Sequence, residues 1–466
     1  MTSRRLRNDS WANSGRRADV GQGRALAALP PNRDGGTTPF TRTCRCGRSH
    51  ALRTALLASV LISVAVLARA QDATWLATPG TGDFNTATNW NPATVPTGTA
   101  FFGTSTQTNL SFSAHTTIGG WTFNPGASSY SFITSGRIVQ FNGDGIVNGG
   151  SATITNNNTA GGVRFLGTST AGNAAINNNL GTLEFFGAST AGSATISNND
   201  LLQFADTGTA GSAIITNNTG AVTRFFGTST AGTASITSNG TVQFFETSTA
   251  GTASIDNNGG AGVVQFSDTS TAGSATITIN NGVGGLRFFG TSTAGTATII
   301  SNGTVQFRET STAGSATIIN NFSLQFSDAS TAGSATITNN GFLEFRDAST
   351  AGGATITSDF SLRFFGTSSA GSATITNNDL LIFSDASTAG SATITNNSGL
   401  LFLQTSTGGT ARFINGGGID LSALSNAGMT AGSIEGAGFI LLGSKNLAVG
   451  GNNLSTTFFR GSAGWW

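Results

Sequence analysis

Seven carboxylates recur at one place in a repeating sequence: Asp206, Glu246, Asp268, Glu309, Asp328, Asp347 and Asp385. Glu309, Asp328 and Asp347 fall in successive copies, so stacking of the copies would bring them together. Paired carboxylates are the groups that cleave glycosidic bonds, and a column of them is a candidate Ca²⁺ site. Against both stand Gly187, Gly227, Gly290 and Gly366, which take the same place in other copies. A position shared by Asp and Gly reads first as turn chemistry, each Asp bonding a nearby backbone N–H of its own turn. The calcium-binding nonapeptide Gly-Gly-x-Gly-x-Asp is absent. Sequence therefore assigns no catalytic, cofactor-binding or metal-ligating residue and expects no cofactor. A polysaccharide lyase or glycosidase on a β-helix remains the enzymatic alternative, resting on this column.

Other reactive groups are scarce. His115 is the sole imidazole after residue 70 and Lys445 the sole lysine, so no Ser/His/Asp arrangement is available. Both cysteines, Cys44 and Cys46, lie near the N-terminus. Charged residues make up 9% of the 466, against roughly 25% in ordinary globular chains. Residues 1–70 hold 12 of the 22 basic and 3 of the 21 acidic groups, leaving 10 basic and 18 acidic beyond, a net of −8. Such a body is expected to have no nucleic-acid partner. Hydrophobic residues, at 38%, are too many for a disordered chain.

The basic N-terminal part has a purpose of its own. Arg48 and Arg53 precede an apolar run, Ala55–Leu67, followed by Ala68-Arg69-Ala70. A positive region, an apolar stretch and a small-x-small site make a signal peptide. The run is shorter than the roughly 20 residues that span a bilayer. Export with cleavage near Ala70, before Gln71, is expected, and the mature chain would then carry no thiol.

What positions the carboxylates is a repeat. Ser-Thr-Ala-Gly-Ser-Ala-Thr-Ile recurs with its glycine at Gly172, Gly192, Gly211, Gly232, Gly251, Gly273, Gly295, Gly314, Gly333, Gly352, Gly371 and Gly390. Weaker copies begin at Gly150 and Gly409, making 14. Intervals are 19 residues late in the series and up to 22 earlier, the extra residues following an Asn-Asn pair. Within the copy at Gly333, Ala335 and Ile337 alternate with Thr336 and Thr338, then Leu343 and Phe345 alternate with Glu344 and Arg346. Period 2 places alternate side chains on one side of a strand. One copy has too few apolar groups for a core, so the copies must stack. The expected fold is all-β: a parallel β-helix, or β-solenoid, of about 14 or more coils of 19–22 residues each. Phe165 through Phe402 would form one inward column, Ile176 through Ile394 a second, with coils ~4.8 Å apart. Asn pairs at the turn would bond to their copies above and below. Thr336/Thr338, Thr355/Thr357, Thr374/Thr376 and Thr393/Thr395 would face solvent as a regular hydroxyl array. That array resembles the ice-binding face of some β-solenoid antifreeze proteins, although Thr also simply suits an exposed strand.

The boundaries follow: residues 1–70, extended N-region and signal peptide; 71–149, an N-terminal β capping region; 150–413, the repeat solenoid; 414–466, a truncated solenoid end. In the capping region stand Trp75, Phe84-Asn85, Asn89-Trp90, Val95-Pro96 and Phe101. This opening resembles that of autotransporter-associated β-strand repeat proteins. Asp420-Leu421-Ser422-Ala423-Leu424, Met429 through Gly438 and Val449 through Thr457 resemble the end of autotransporter passenger domains. The resemblance implies a passenger exported by a signal peptide and carried over the outer membrane by a C-terminal β-barrel. At least eight strands of about 9–11 residues make such a barrel, and only nine residues follow Thr457. The expectation is a passenger whose outer-membrane translocator is not encoded in this chain. It would be secreted or held at the cell surface, with a structural or adhesive role in multivalent contact with glycans or other cells. An ice-binding solenoid and a non-functional passenger fragment are the further alternatives.

Overall fold

The computed structural model describes residues 70–147, 152–280 and 284–458. The apolar run at Ala55–Leu67, Gly150, which opens the first weak copy, and residues 459–466 lie outside the described residues. The first two described copies run as single strands, Ala152–Phe165 and Ala175–Phe185; from Thr195 to Phe402 each repeat contributes two four-residue strands, as in Thr336–Asn339 and Phe342–Phe345. They pair in parallel and in register with Thr355–Ser358 and Ser361–Phe364 of the next coil. A third line of contact consists of single parallel bridges between threonines, from Thr170 to Thr407, with Ser369 in one coil. Parallel pairing also runs through Thr99–Phe102, Thr116–Phe123 and Ile138–Val147 before the repeats begin. About 18 coils stack as a β-solenoid, and no α-helix occurs among the described residues.

The bore is filled as the alternation predicts. From Phe141 to Phe402 successive rings stack with centroids 4.5–5.1 Å apart and planes within 10°. The strand spacing of ~4.8 Å sets that distance, and parallel rings so spaced take the offset arrangement aromatic pairs prefer. The isoleucine column is equally buried and is continued by Phe413. Two columns of alanine, such as Ala351 and Ala354, are buried as well. Their small side chains fit where the backbone turns close to the axis.

Polar residues also enter the bore. The first Asn of each pair ends its strand pointing inward, in line with Ala335 and Ile337, and is buried, as Asn339 is. In Asn–Asn steps the amide Nδ2 donates to Oδ1 of the next coil at 2.7–2.9 Å. The same nitrogen often donates to a backbone carbonyl of that coil, as Asn377 does to Gly399. Serine interrupts the relay. Ser358 Oγ accepts from Asn339 but donates to the carbonyl of Phe360 in its own coil. The buried Oδ1 of Asn377, one coil on, then has no partner, and Asn257 after Ser238 is left the same way. Asn320, after Ser301, escapes by accepting from its own Phe322 N–H. A buried unpaired acceptor costs about 1–3 kcal/mol. Ser358→Asn is therefore expected to stabilise the fold by about 1 kcal/mol, seen as a higher urea midpoint. An unchanged or lower midpoint would contradict the relay.

The N-terminal end is closed. Ala73–Trp75 pairs antiparallel with Trp90–Asn91 and parallel with Thr99–Phe102. Trp75, Phe84 and Trp90 are buried against the first coil, with Trp90 4.9 Å from Trp75 and 4.8 Å from Phe84. Of the neighbouring phenylalanines it is Phe102, not Phe101, that points inward. Strand alternation allows only one of the two inside. Asp83 ties this cap to the next coil through Ser113 N–H and O–H, and to its own loop through Thr86 O–H and Asn85 N–H. Burial by itself raises the Asp83 carboxyl, but these hydrogen bonds outweigh it and hold it below the ordinary 3.8. A depressed folded value means the stabilisation is present above pH 3.8 and is lost as pH falls through the folded value. Proteolysis near residue 83 should accelerate in acid, and Asp83→Asn should flatten that dependence. Acid sensitivity identical in the two proteins would refute the assignment.

Candidate functional site

The residues with chemical potential sit on the outside of the turns, where the stack turns them into columns. Asp206, Glu246, Asp268, Glu309, Asp328, Asp347 and Asp385 all follow the Phe strand and all have left-handed backbone, φ 55–59°. At such a residue the peptide flips, and both its N–H and its C=O face the next coil. The C=O meets a backbone donor there, as Glu309 meets Ala329 N–H at 2.8 Å. No backbone group answers the N–H. Where the next coil carries a carboxylate at this place, its side chain does: Asp206 accepts from Gly187, Glu246 from Gly227, Asp268 from Glu246, Glu309 from Gly290, Asp328 from Glu309, Asp347 from Asp328 and Asp385 from Gly366, at 2.6–3.1 Å. Gln404 does the same for Asp385. The expectation that each Asp caps its own turn is corrected: each caps the turn of the coil before it.

This relay brings Glu309, Asp328 and Asp347 together, as their spacing predicts. It also commits one oxygen of each to a backbone amide. No group of three His, Cys, Asp or Glu able to hold a metal ion occurs among the described residues. His115 is exposed, and its Nδ1 accepts from Ile138 N–H at 2.9 Å.

Two mostly neutral columns lie on the outer side of the other strand. The threonine pairs keep register across four coils, Thr336, Thr355 and Thr374 being exposed and their partners half-buried. Beside them the second Asn of each pair forms an exposed amide ladder. Asn340 Nδ2 donates to Asn321 Oδ1 at 2.9 Å and Asn397 to Asn378 at 2.7 Å. These bonds run toward the N-terminal end, whereas those of the buried ladder run toward the C-terminal end. The two rows of amide dipoles therefore oppose one another, which limits the field along the stack. Ion pairs are few among the described residues: Arg164–Glu184, Arg346–Glu344 and Arg412–Glu435.

One concavity stands apart from these columns. It lies among Ser398–Leu401, Gly416–Gly418 and Phe439, near the C-terminal end. Its sequence signal is the pair Gly399 and Gly418, which matter only once register aligns them. No family model, no curated protein and no solved structure matches this chain.

Proposed function

We propose that this chain is an exported, autotransporter-like passenger with a structural and adhesive role, its shaft touching glycans or cell surfaces at many points. The observation that carries this reading is the uniform stack of about 18 coils that sets the same Thr, Asn and Gln groups at the same height in coil after coil. Hydroxyls and amides both donate and accept hydrogen bonds, the currency of sugar recognition. Single contacts of this kind are weak, and repetition raises avidity by orders of magnitude. The signal-like segment before Gln71 and the resemblance of both ends to passenger domains support export. Against the enzymatic alternative, one oxygen of each carboxylate of the column already accepts from a backbone amide.

Density-dependent binding tests this reading. The full chain on beads should bind glycan-coated surfaces steeply with coating density and hardly at all as a free monomer. Silence on every glycan and every cell type at all densities would overturn it. The four-coil threonine array favours a second reading, ice binding. Thermal hysteresis lost on Thr355→Lys would support it, and ice crystals left unshaped by the full chain would remove it.

A further inference from the structure

Toward the C-terminal end, the outward column on the Phe strand changes character. It reads Phe342, Ser361 and Leu380, then Gly399 and Gly418. Two missing side chains in register open a trough of about 600 Å³, within the roughly 300–1,000 Å³ of small-molecule sites. Bare backbone of Gly399 forms its floor, while Gly418 lies beneath the Phe439 ring. Leu401, Leu441 and Phe439 form its walls. The Phe439 ring lies so close over Gly418 that a Cβ there would collide with it, yet the residue is 69% exposed. Asp420 stands at one end. Its Oδ1 accepts from Ser422 N–H and O–H at 2.8 and 2.7 Å, and its Oδ2 accepts from none of the described residues.

We propose that this trough binds one or two rings of a neutral saccharide; the inference deepens the glycan reading above and rests on it. An exposed aromatic ring offers a stacking face for the C–H side of a sugar. Asp420 Oδ2 accepts from its hydroxyls. No Lys, Arg or His lines the trough, so an anionic ligand has no counter-charge. The volume is too small for a helix about 10–12 Å across, and a protein partner would need about 800 Å² on this side alone.

The test is ligand-observed NMR of the full chain with maltose, cellobiose and chitobiose. At least one should bind saturably. Gly399→Leu should fill the trough and weaken that binding at least about tenfold. The nearest atoms to a Cβ at Gly399 are Leu380 Cδ1 at 3.5 Å, the Asp379 carbonyl oxygen at 3.7 Å and Leu401 Cδ1 at 3.8 Å, all at ordinary contact distance, so the variant should fold, with an unchanged melting curve as the check. Phe439→Ala, on the surface, should weaken binding similarly. Equal binding by wild type and both variants overturns the trough while leaving the glycan reading standing. No disaccharide bound at about 50 mM, an affinity below any useful contact, overturns both. Tetramethylammonium bound in place of sugar would make the site a cation site and overturn the saccharide assignment.

Discussion

Phe326→Asp should split the solenoid into two separately unfolding blocks. The Phe326 ring is fully buried, 4.7 Å from Phe307 and 4.8 Å from Phe345. Truncating such a ring to Ala costs about 3–5 kcal/mol through lost transfer energy and the cavity left behind. Asp adds a carboxylate to an apolar bore, with no donor in its column to answer it. Because each coil touches only its neighbours, the damage stays local to one interface rather than spreading over the stack. Limited proteolysis should therefore cut near residue 326 and leave two resistant fragments. Phe326→Leu, which keeps most of the volume, should lose about 1–1.5 kcal/mol and gain no cut. An unchanged urea transition in the Asp variant would mean that the stacked rings are not what holds adjacent coils together.

How far this was readable beforehand depends on the direction in which each group acts. Side chains acting across the bore were legible: the alternation of Leu343 and Phe345 with Glu344 and Arg346 names its inward residues, and the structure buries them. The same alternation, carried one step past Ile337, puts Asn339 inside. Turn chemistry masked that signal, because Asn-Asn-Gly is equally a turn. Groups acting along the axis were harder. Whether Asp328 serves its own turn or the coil before depends on which way the peptide of a left-handed residue faces, and composition does not encode that. The trough was hidden for a related reason. Gly399 and Gly418 look like two more glycines among 65 until register sets them side by side. Phe439 joins them only through a 21-residue step from Gly418, which departs from the 19-residue period.

The left-handed positions allow an experiment in which strain and crowding separate. Gly333 and Gly366 have nearly the same backbone, φ +61° and +64°. A Cβ at either meets the left-handed penalty of about 1–2 kcal/mol. Their surroundings differ. At Gly333 the Cβ would lie 2.6 Å from the carbonyl oxygen of Gly314, rigid backbone in the coil below. At Gly366 the nearest atoms, of Asp347, are 3.1 Å away. The sequence follows this distinction: one column is glycine in every copy, the other accepts Asp, Glu and Gln in place of Gly. Gly366→Ala is therefore expected to cost only the backbone term, about 1–2 kcal/mol. Gly333→Ala should cost about 1–3 kcal/mol more, the price of overpacking against fixed atoms. Gly366→Asp should recover part of its loss, because its carboxylate reaches the Asp347 N–H as Asp385 reaches that of Gly366. Urea midpoints of the three variants decide the matter. Equal losses for the two alanine variants would show that left-handed strain alone selects glycine, and that the close approach of successive coils does not.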